Sequence, residues 1–403
     1  MKWVNAFSTR ASLEAAIEEV CETAQKSLSQ PADLGIIFIS SAFASEYSRL
    51  MPLLQEKLKV ATLIGCGGGG VIGSGSEGTL PQEVEGLPAL SLTLAHLPDV
   101  AVEAFHLLES DFPDLDDPPE RWADLMGVFP EAQPHFILLA DPFSAKINDL
   151  LSGLDYAYPG SVKIGGLAST GMGNSGTSLF CNFRRYQEGT IGVALSGNIA
   201  IETIVAQGCR PIGQPYRVTK GEHNIVLEVQ PDSADGATQE PQTPLIALQN
   251  LLQNLSLEDR QLAQNSLFIG LVRNEFKQEL GLGDFLIRNL IGVDPGMGAI
   301  AIGDRVRPGQ RIQFHLRDAT TSAEDLEMWL QQRCCSAAGA LIFSCLGRGE
   351  GLYGQANFES KLFDRYFNNT ALGGFFCNGE IGPVGTSTFL HGYTSVFGIC
   401  RQP

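Results

Sequence analysis

The sequence predicts an α/β protein of two modules, each a mixed β-sheet with flanking helices built from duplicated strand-helix-strand-strand units. Three observations carry that prediction. Apolar runs of five to eight residues bounded by glycine alternate with amphipathic stretches, the pattern of buried strands joined by helices. The same order of elements recurs along the chain, with Ile64-Gly65 and Ile164-Gly165 spaced 100 residues apart and Phe43 and Phe143 likewise. One low-complexity stretch, Gln230 to Pro244, gathers Pro231, Asp232, Ser233, Gly236, Pro241 and Pro244, which favour turns and linkers over packed elements. The expected boundaries are 1–228 for the first module, 229–244 for the linker and 245–403 for the second module.

The first unit opens with a strand at Gly35-Ile36-Ile37-Phe38-Ile39-Ser40, a helix from Glu46 to Leu58, a glycine-terminated strand from Ala61 to Gly68, and a strand from Ala89 to Leu94. The second repeats it: His135 to Ala140, a helix from Ser144 to about Leu154, Lys163 to Gly166, then strands Thr177 to Cys181 and Thr190 to Leu195. A similar unit closes the chain, with Ala340 to Cys345, a helix from Asn357 to Phe367, Leu372 to Phe376, and Tyr393 to Cys400. The third quarter is looser. It offers strands at Leu267 to Val272, Phe285 to Gly292, Ala299 to Ile302 and Gln310 to Leu316, then a helix whose Thr321-x-x-Glu324 fits a capping box.

Composition narrows the function. The 403 residues carry a formal charge of -18 and a pI near 4.7, with 27 Lys and Arg against 45 Asp and Glu. Nucleic-acid binding takes its affinity from cations on phosphates, so no nucleic-acid partner and no anionic membrane surface is expected. No apolar run reaches the roughly 20 residues of a membrane helix. The odd count of nine cysteines, mostly inside apolar runs, and the lack of a signal-peptide pattern point to buried thiols in a reducing cytoplasm.

Several local motifs have plain structural explanations. Gly65-Cys66-Gly67-Gly68-Gly69-Gly70 and Gly171-Met172-Gly173-Asn174-Ser175-Gly176 both satisfy G-x-G-x-x-G, but neither is followed by the helix that a dinucleotide's pyrophosphate requires. They read as tight turns or as a pocket wall of backbone N–H groups. The six histidines show no paired spacing, and neither H-E-x-x-H nor C-x-x-C occurs, so no metal site is expected. A haem needs only one axial ligand and is not excluded by spacing. No G-x-S-x-G elbow is present. The acidic run Asp111 to Glu120 reads as a solvated loop, or as a dock for a basic partner.

Longer motifs carry a resemblance. Gln207-Gly208-Cys209-Arg210-Pro211-Ile212-Gly213, Arg317-Asp318-Ala319, Phe343-Ser344-Cys345-Leu346-Gly347-Arg348-Gly349, Gly374 to Pro383 and Phe389 to Val396 together resemble the FIST family of F-box and intracellular signal transduction proteins, in its paired N- and C-terminal modules. The resemblance spans about Ala32 to Cys400. It implies a small-ligand-binding sensory module working with a signalling output; some members are haem-binding nitric oxide sensors and others recognise substrates for ubiquitin ligases. With about 30 residues before the resemblance and three after it, the output is expected to reside in a separate protein partner.

The expected ligand site gathers Cys66, Gly67, Gly166, Cys345, Arg348, Cys377, Asn378, Gly379, Glu380 and His391, because the Gly-rich turns follow strands, where open α/β sheets place ligands. Arg348, Asn378 and Glu380 supply donors and acceptors for a polar small molecule; the plainer alternative pairs Arg348 with Glu380 as a structural ion pair. The Cys345 thiol is either inert and buried, or has its pKa lowered by the neighbouring guanidinium. Arg317-Asp318 is expected to pin the helix that follows. The preferred function is non-catalytic sensing through a partner. The alternatives are a haem or other tetrapyrrole gas sensor, an enzyme using Cys345 or Glu380 in the cleft between the modules, and a protein-interaction scaffold.

Overall fold

A computed structural model of the chain describes residues 1–75, 80–143, 146–170, 176–232, 240–281, 283–333 and 336–403. By packing it divides into two compact units, Met1–Ala206 with Glu327–Pro403, and Gln207–Leu326. This cut by packing is a different one from a cut by sequence module.

The first unit holds three lobes of one pattern. Lobe 1 runs β1 (Lys2–Ser8), α1 (Leu13–Leu28), β2 (Ala32–Ser40), α2 (Tyr47–Lys57), β3 (Val60–Gly68), β4 (Gly70–Gly73), β5 (Gln82–Glu85) and β6 (Leu90–His96). Lobe 2 runs β7 (Val100–Leu107), α3 (Pro119–Met126), β8 (His135–Ala140), α4 (Ile147–Ala157), β9 (Lys163–Leu167), β10 (Leu179–Cys181), β11 (Arg184–Tyr186) and β12 (Thr190–Gly197). Lobe 3 begins with β13 (Ala200–Ala206), after which the chain forms the second unit. That unit contains β14 (Cys209–Glu222), β15 (Ile225–Pro231), α5 (Pro244–Asn254), α6 (Leu257–Leu262), β16 (Leu267–Val272), β17 (Phe285–Asp294), β18 (Ala299–Ile302) and β19 (Arg311–Arg317). The chain continues through α7 (Ala319–Gln332) into the rest of lobe 3: β20 (Gly339–Cys345), α8 (Gly349–Tyr353), α9 (Phe358–Tyr366), β21 (Leu372–Cys377), β22 (Glu380–Val384), β23 (Ser387–His391) and β24 (Ser395–Arg401).

Each lobe builds a six-stranded mixed sheet around one parallel pair, β2 with β3, β8 with β9, and β20 with β21. On one side of the pair come two antiparallel strands, β6 then β1, β12 then β7, and β24 then β13. On the other side lies a hairpin borrowed from another lobe. Hairpin β4-β5 follows β3 in the chain but pairs with β21; β22-β23 follows β21 but pairs with β9; β10-β11 follows β9 but pairs with β3. The exchange closes a cycle, so no lobe completes its sheet alone.

Register explains the repeating glycine. Gly65, Gly165 and Gly374 face Ile37, Leu138 and Ile342 across the parallel pairs. A Cβ at each would lie 2.0, 1.8 and 2.0 Å from the partner's carbonyl oxygen, so a side chain cannot enter. The facing sheets share a core to which lobe 1 gives Phe38 and Cys66, lobe 2 gives Leu139 and Ile164, and lobe 3 gives Phe343 and Cys377. Phe38 stacks on Phe375 at 4.9 Å between ring centroids. Helices cover the outer faces. α1 is capped by Ser12, which accepts from the Ala15 amide, and it buries Leu13, Ile17, Val20, Ala24 and Leu28 along one stripe against sheet 1. Each such aliphatic side chain contributes roughly 1.5 to 3 kcal/mol on burial.

The second unit is a closed antiparallel barrel in the order β14-β15-β18-β17-β16-β19. The strands expected in the third quarter are four of its six. The expected linker is partly ordered structure: β15 extends to Pro231, Val229 bridges Gln242, and Pro244 opens α5; residues 233–239 lie outside the described residues. The helix at Ala319 is pinned by Asp318, whose carboxylate accepts from the Thr321 amide at 2.7 Å and hydroxyl at 3.0 Å. That replaces the capping box read at Thr321 and places the helix start three residues earlier. Among the described residues no helix is long and apolar enough to cross a membrane.

Candidate functional site

The ends of the three parallel pairs are stitched together. The Asn378 amide donates to the Leu167 carbonyl at 3.0 Å and the Leu167 amide to the Gly379 carbonyl at 2.8 Å. The Ser169 amide donates to the Gly67 carbonyl at 3.3 Å, while the Ser169 hydroxyl accepts from the Gly69 amide at 2.8 Å and donates to the Phe376 carbonyl. One segment from each lobe thus meets at the Gly-rich turns. The literal G-x-G-x-x-G at Gly65 to Gly70 runs from β3 straight into β4, with no helix after it. The Gly171 to Ser175 part of the second motif lies outside the described residues.

Glu380 is the chemically unusual residue there. It opens β22 opposite Gly166 of β9 and opposite His391 of β23, so its side chain shares a face with both partners' positions. It is fully buried. One carboxylate oxygen accepts from the Thr394 amide at 3.1 Å and hydroxyl at 2.9 Å, and the other has no hydrogen-bond partner. Burial pushes its pKa up to about 8, only partly offset by the Thr394 donors, the Arg348 charge and the neighbouring Cys345 thiol. In the other two lobes the equivalent hairpin positions are Val71, opposite Phe375, and Leu179, opposite Cys66. Two of three repeats put an aliphatic side chain where lobe 3 puts an acid.

Glycine 166 makes that exchange possible. A Cβ there would lie 2.4 Å from the Cys377 sulfur, so Cys377 occupies the space a side chain would fill. Cys345 pairs in register with Cys377. The expected effect of Arg348 on Cys345 is overturned: burial, then the Glu380 charge, push the thiol up to about 12, and the guanidinium opposes them only weakly. Cys66 and Cys377 are fully buried and also raised by desolvation. The cluster offers neutral thiols and a carboxyl group that keeps its proton near neutrality, a set that exchanges hydrogen bonds rather than attacks as thiolate. The imidazole of His391 is buried, with Nε2 3.0 Å from the Gly382 carbonyl.

Arg348 belongs to a different network. Its short ion pair is with Glu359 at 2.6 Å, which replaces the pairing with Glu380 weighed above. It also donates to the Tyr353 hydroxyl at 2.6 Å and the Tyr393 carbonyl at 3.2 Å. Glu359 accepts further from Ser344 at 2.8 Å, Ser395 at 2.9 Å and Tyr353 at 2.9 Å. Nearby Glu83, on the borrowed hairpin, accepts from the Ser360 amide at 2.6 Å, and burial followed by the Glu359 charge raises it to about 7.

All ten sequence-predicted residues fall in the first unit. Cys66, Gly166, Cys345, Cys377 and Glu380 converge, and Gly67, Asn378 and Gly379 form the stitched strand ends beside them. The Asn378 side of the turn is exposed, and Arg348 pairs with Glu359 while its charge still lowers the pKa of Glu380. Sequence reasoning missed Glu359, Thr394, Tyr353 and Glu83. The one available signal was Ser344, a hydroxyl in the otherwise apolar run from Ala340 to Cys345. Seven cysteines among the described residues are free and buried, while Cys334 and Cys335 lie outside them. Among the described residues no group of His, Cys, Asp or Glu is placed to hold a metal ion.

The FIST N domain model matches residues 33–230 and the FIST C domain model residues 246–383. The chain is similar to an uncharacterized protein of Mycobacterium tuberculosis, 32% identical over 396 residues and covering 96% of each chain. It is also similar to an uncharacterized protein of Mycobacterium bovis, 30% identical over 398 residues, 97% of this chain and 96% of the relative. The chain belongs to the FIST family, whose domains are sensory domains of signal transduction.

Proposed function

We propose that this protein binds a small polar ligand at the strand ends of lobe 3, around Cys345, Cys377, Asn378, Glu380 and His391 with Cys66, Gly67, Gly166 and Gly379 as the backbone and thiol wall, and that it signals from the cytoplasm through a separate protein partner. The modules 1–228 and 245–403 are the paired parts of the same proposal. The observation that supports it is Glu380: a fully buried carboxyl with one unpartnered oxygen, at a position where the same fold twice uses an aliphatic residue. An unsatisfied buried polar group costs about 1 to 3 kcal/mol, so an acid at this position favours a ligand that completes its hydrogen bonds.

Sensing requires a ligand with different affinities for two states of the protein, and such a ligand also stabilises the state it prefers. The test is native mass spectrometry with an absorption spectrum on protein purified without added ligand, comparing wild type with Glu380→Gln. A co-purifying small mass retained by the wild type and lost in the variant supports the reading. A Soret band surviving in Glu380→Gln moves the site to a tetrapyrrole elsewhere, and turnover of the bound molecule that Cys345→Ala abolishes replaces sensing by catalysis.

A further inference from the structure

Apart from the strand-end cluster, lobe 2 carries a cavity of about 360 Å³ at the seam between β7, the outer strand of its own sheet, and the hairpin β10-β11, which ends sheet 1. Its lining includes Phe105, His106, Cys181, Arg184 and Tyr186, and among the described residues no Asp or Glu. Cys181 stands directly opposite Arg184 in the hairpin and Tyr186 follows two residues on, so all three side chains leave one face. That face looks onto β7. The Cys181 thiol donates to the Phe105 carbonyl at 3.8 Å, and the Tyr186 ring stacks on His106 with centroids 3.9 Å apart. His106 Nε2 lies 3.0 Å from the Glu188 carbonyl, which fixes its ring. Arg184 is exposed and makes no hydrogen bond or ion pair with any described residue.

The other two lobes close the same seam. The counterparts of Arg184 are Gln82 and Phe389, which stand opposite Gly73 and Gly382, and the counterparts of Tyr186 are Val84 and His391. By register along the outer strands, His106 corresponds to Phe7 and Val205. A Cβ on Gly73 would lie 2.6 Å from Phe7, and one on Gly382 2.9 Å from Val205, so in those lobes the outer strand packs straight onto the hairpin. Lobe 2 has Cys181 where they have glycine. Its side chain holds the seam open, and the opening is lined by an imidazole, a phenol and a guanidinium that the fold does without in the other two lobes.

We propose that the lobe 2 seam binds a small carboxylate with a planar apolar body, the carboxylate held by the Arg184 guanidinium and the body laid against the Tyr186 and His106 rings. A guanidinium presents paired N–H donors that match a carboxylate, and Arg184 meets no acid in the lining that would neutralise it. One cation suits a monoanion. A phosphate dianion would carry a second charge into the field of a chain whose formal charge is -18. A planar body gains from contact with the stacked rings in a way that a saturated one does not.

The test uses the full-length protein with ¹³C-labelled tyrosine rings, titrated with benzoate, with benzamide as the neutral isostere and with cyclohexanecarboxylate, which keeps the charge but not the planar body. Tyr186→Phe identifies the Tyr186 signal, and Tyr158 is the internal control because it is buried in lobe 2 and does not line the cavity. Arg184→Gln installs the residue that lobe 1 carries at this position, on an exposed site, and an unchanged melting temperature shows that the variant is folded. A probe this small binds in about the millimolar range. The expected result is a saturable shift of the Tyr186 signal with Tyr158 unmoved. Benzamide to the wild type, and benzoate to Arg184→Gln, should each bind about tenfold to a hundredfold more weakly, the loss of charge-assisted hydrogen bonds. Cyclohexanecarboxylate should bind about threefold to tenfold more weakly than benzoate. The proposal is overturned by a Tyr186 signal that moves no more than that of Tyr158, by benzoate binding undiminished in Arg184→Gln, or by equal affinity for benzoate and either comparison probe.

Discussion

Lobes 1 and 3 share a strand order and a register but fill the layer between sheet and helices with opposite chemistry. In lobe 1, Ile39 faces Leu90 across β2 and β6, and both join the apolar core under α1 and α2. In lobe 3 the equivalent pair is Ser344 and Ser395, both donating to the buried carboxylate of Glu359, which also holds Arg348. The backbone accepts either filling, so the polar filling of lobe 3 is a property of its sequence rather than of the fold. What it requires is completeness, since an ion pair without solvent depends on each partner and on the hydroxyls that satisfy its remaining lone pairs.

Breaking that completeness should produce the largest effect. Glu359→Ala leaves Arg348 buried without its counter-charge, and urea denaturation is expected to show a loss of about 3 to 5 kcal/mol. Transplanting the chemistry of lobe 1 sharpens the comparison. The combination Glu359→Leu, Arg348→Met, Ser344→Ile and Ser395→Leu is expected to recover most of that loss, because well-packed apolar groups often match or exceed a buried ion pair. A transplant as unstable as Glu359→Ala would show that lobe 3 needs its polar layer to fold.

The second contrast, Glu380 against Val71 and Leu179, should appear as pH dependence. Burial raises Glu380 from 4.5 to about 8 and Glu83 from 4.5 to about 7, so the folded chain keeps protons that the unfolded chain has released. Stability from these groups is therefore complete below about pH 4.5 and declines as pH rises, levelling off above pH 8. Glu380→Gln is expected to flatten much of this slope and to be more stable than wild type above pH 8 by a few kcal/mol, at about 1.4 kcal/mol per pKa unit. Melting curves across pH 4 to 9 that superimpose for the two proteins would contradict the raised pKa.

How legible this was in the sequence depended on whether the signal was local. The recurring strand-helix-strand order could be read from apolar runs and Gly65, Gly165 and Gly374, because the close approach of parallel strands is imposed by neighbours in the same unit. The exchange of hairpins was invisible: β4 pairs with β21 some 300 residues away, and an alternating apolar segment does not name its partner. β1 and α1 were passed over because they precede the first glycine-bounded run. The barrel read only as scattered strands, since its closure depends on register across β14 and β19. At the site, Cys345, Cys377 and Glu380 stood out by sitting in glycine-rich turns. Glu359 did not, because its importance comes from Arg348 and two serines brought to it by three separate strands and turns.

Two smaller changes probe the junction where the lobes meet. Gly166→Ala places a methyl group 2.4 Å from the Cys377 sulfur, and such overpacking is expected to cost about 1 to 3 kcal/mol. Pairing it with Cys377→Ala removes the clashing atom, so the double variant should be more stable than the sum of the single changes, a coupling that a double-mutant cycle measures.

Ser169→Ala is the smallest and the most specific. Its hydroxyl links the Gly69 amide of lobe 1 to the Phe376 carbonyl of lobe 3. Ser169 lies on a lobe 2 segment, so one hydroxyl ties all three strand ends together. Losing it strands one donor and one acceptor in a part-buried setting, and about 1 to 2 kcal/mol is the expected cost. Hydrogen exchange localises the effect: the Gly69 amide should lose protection while amides in the middle of β2, β8 and β20 keep theirs, because the strand ends open without unfolding the sheets. Equal loss across all three sheets would mean that the junction is part of the global folding unit, and that the exchanged hairpins rather than Ser169 set the local stability of the site.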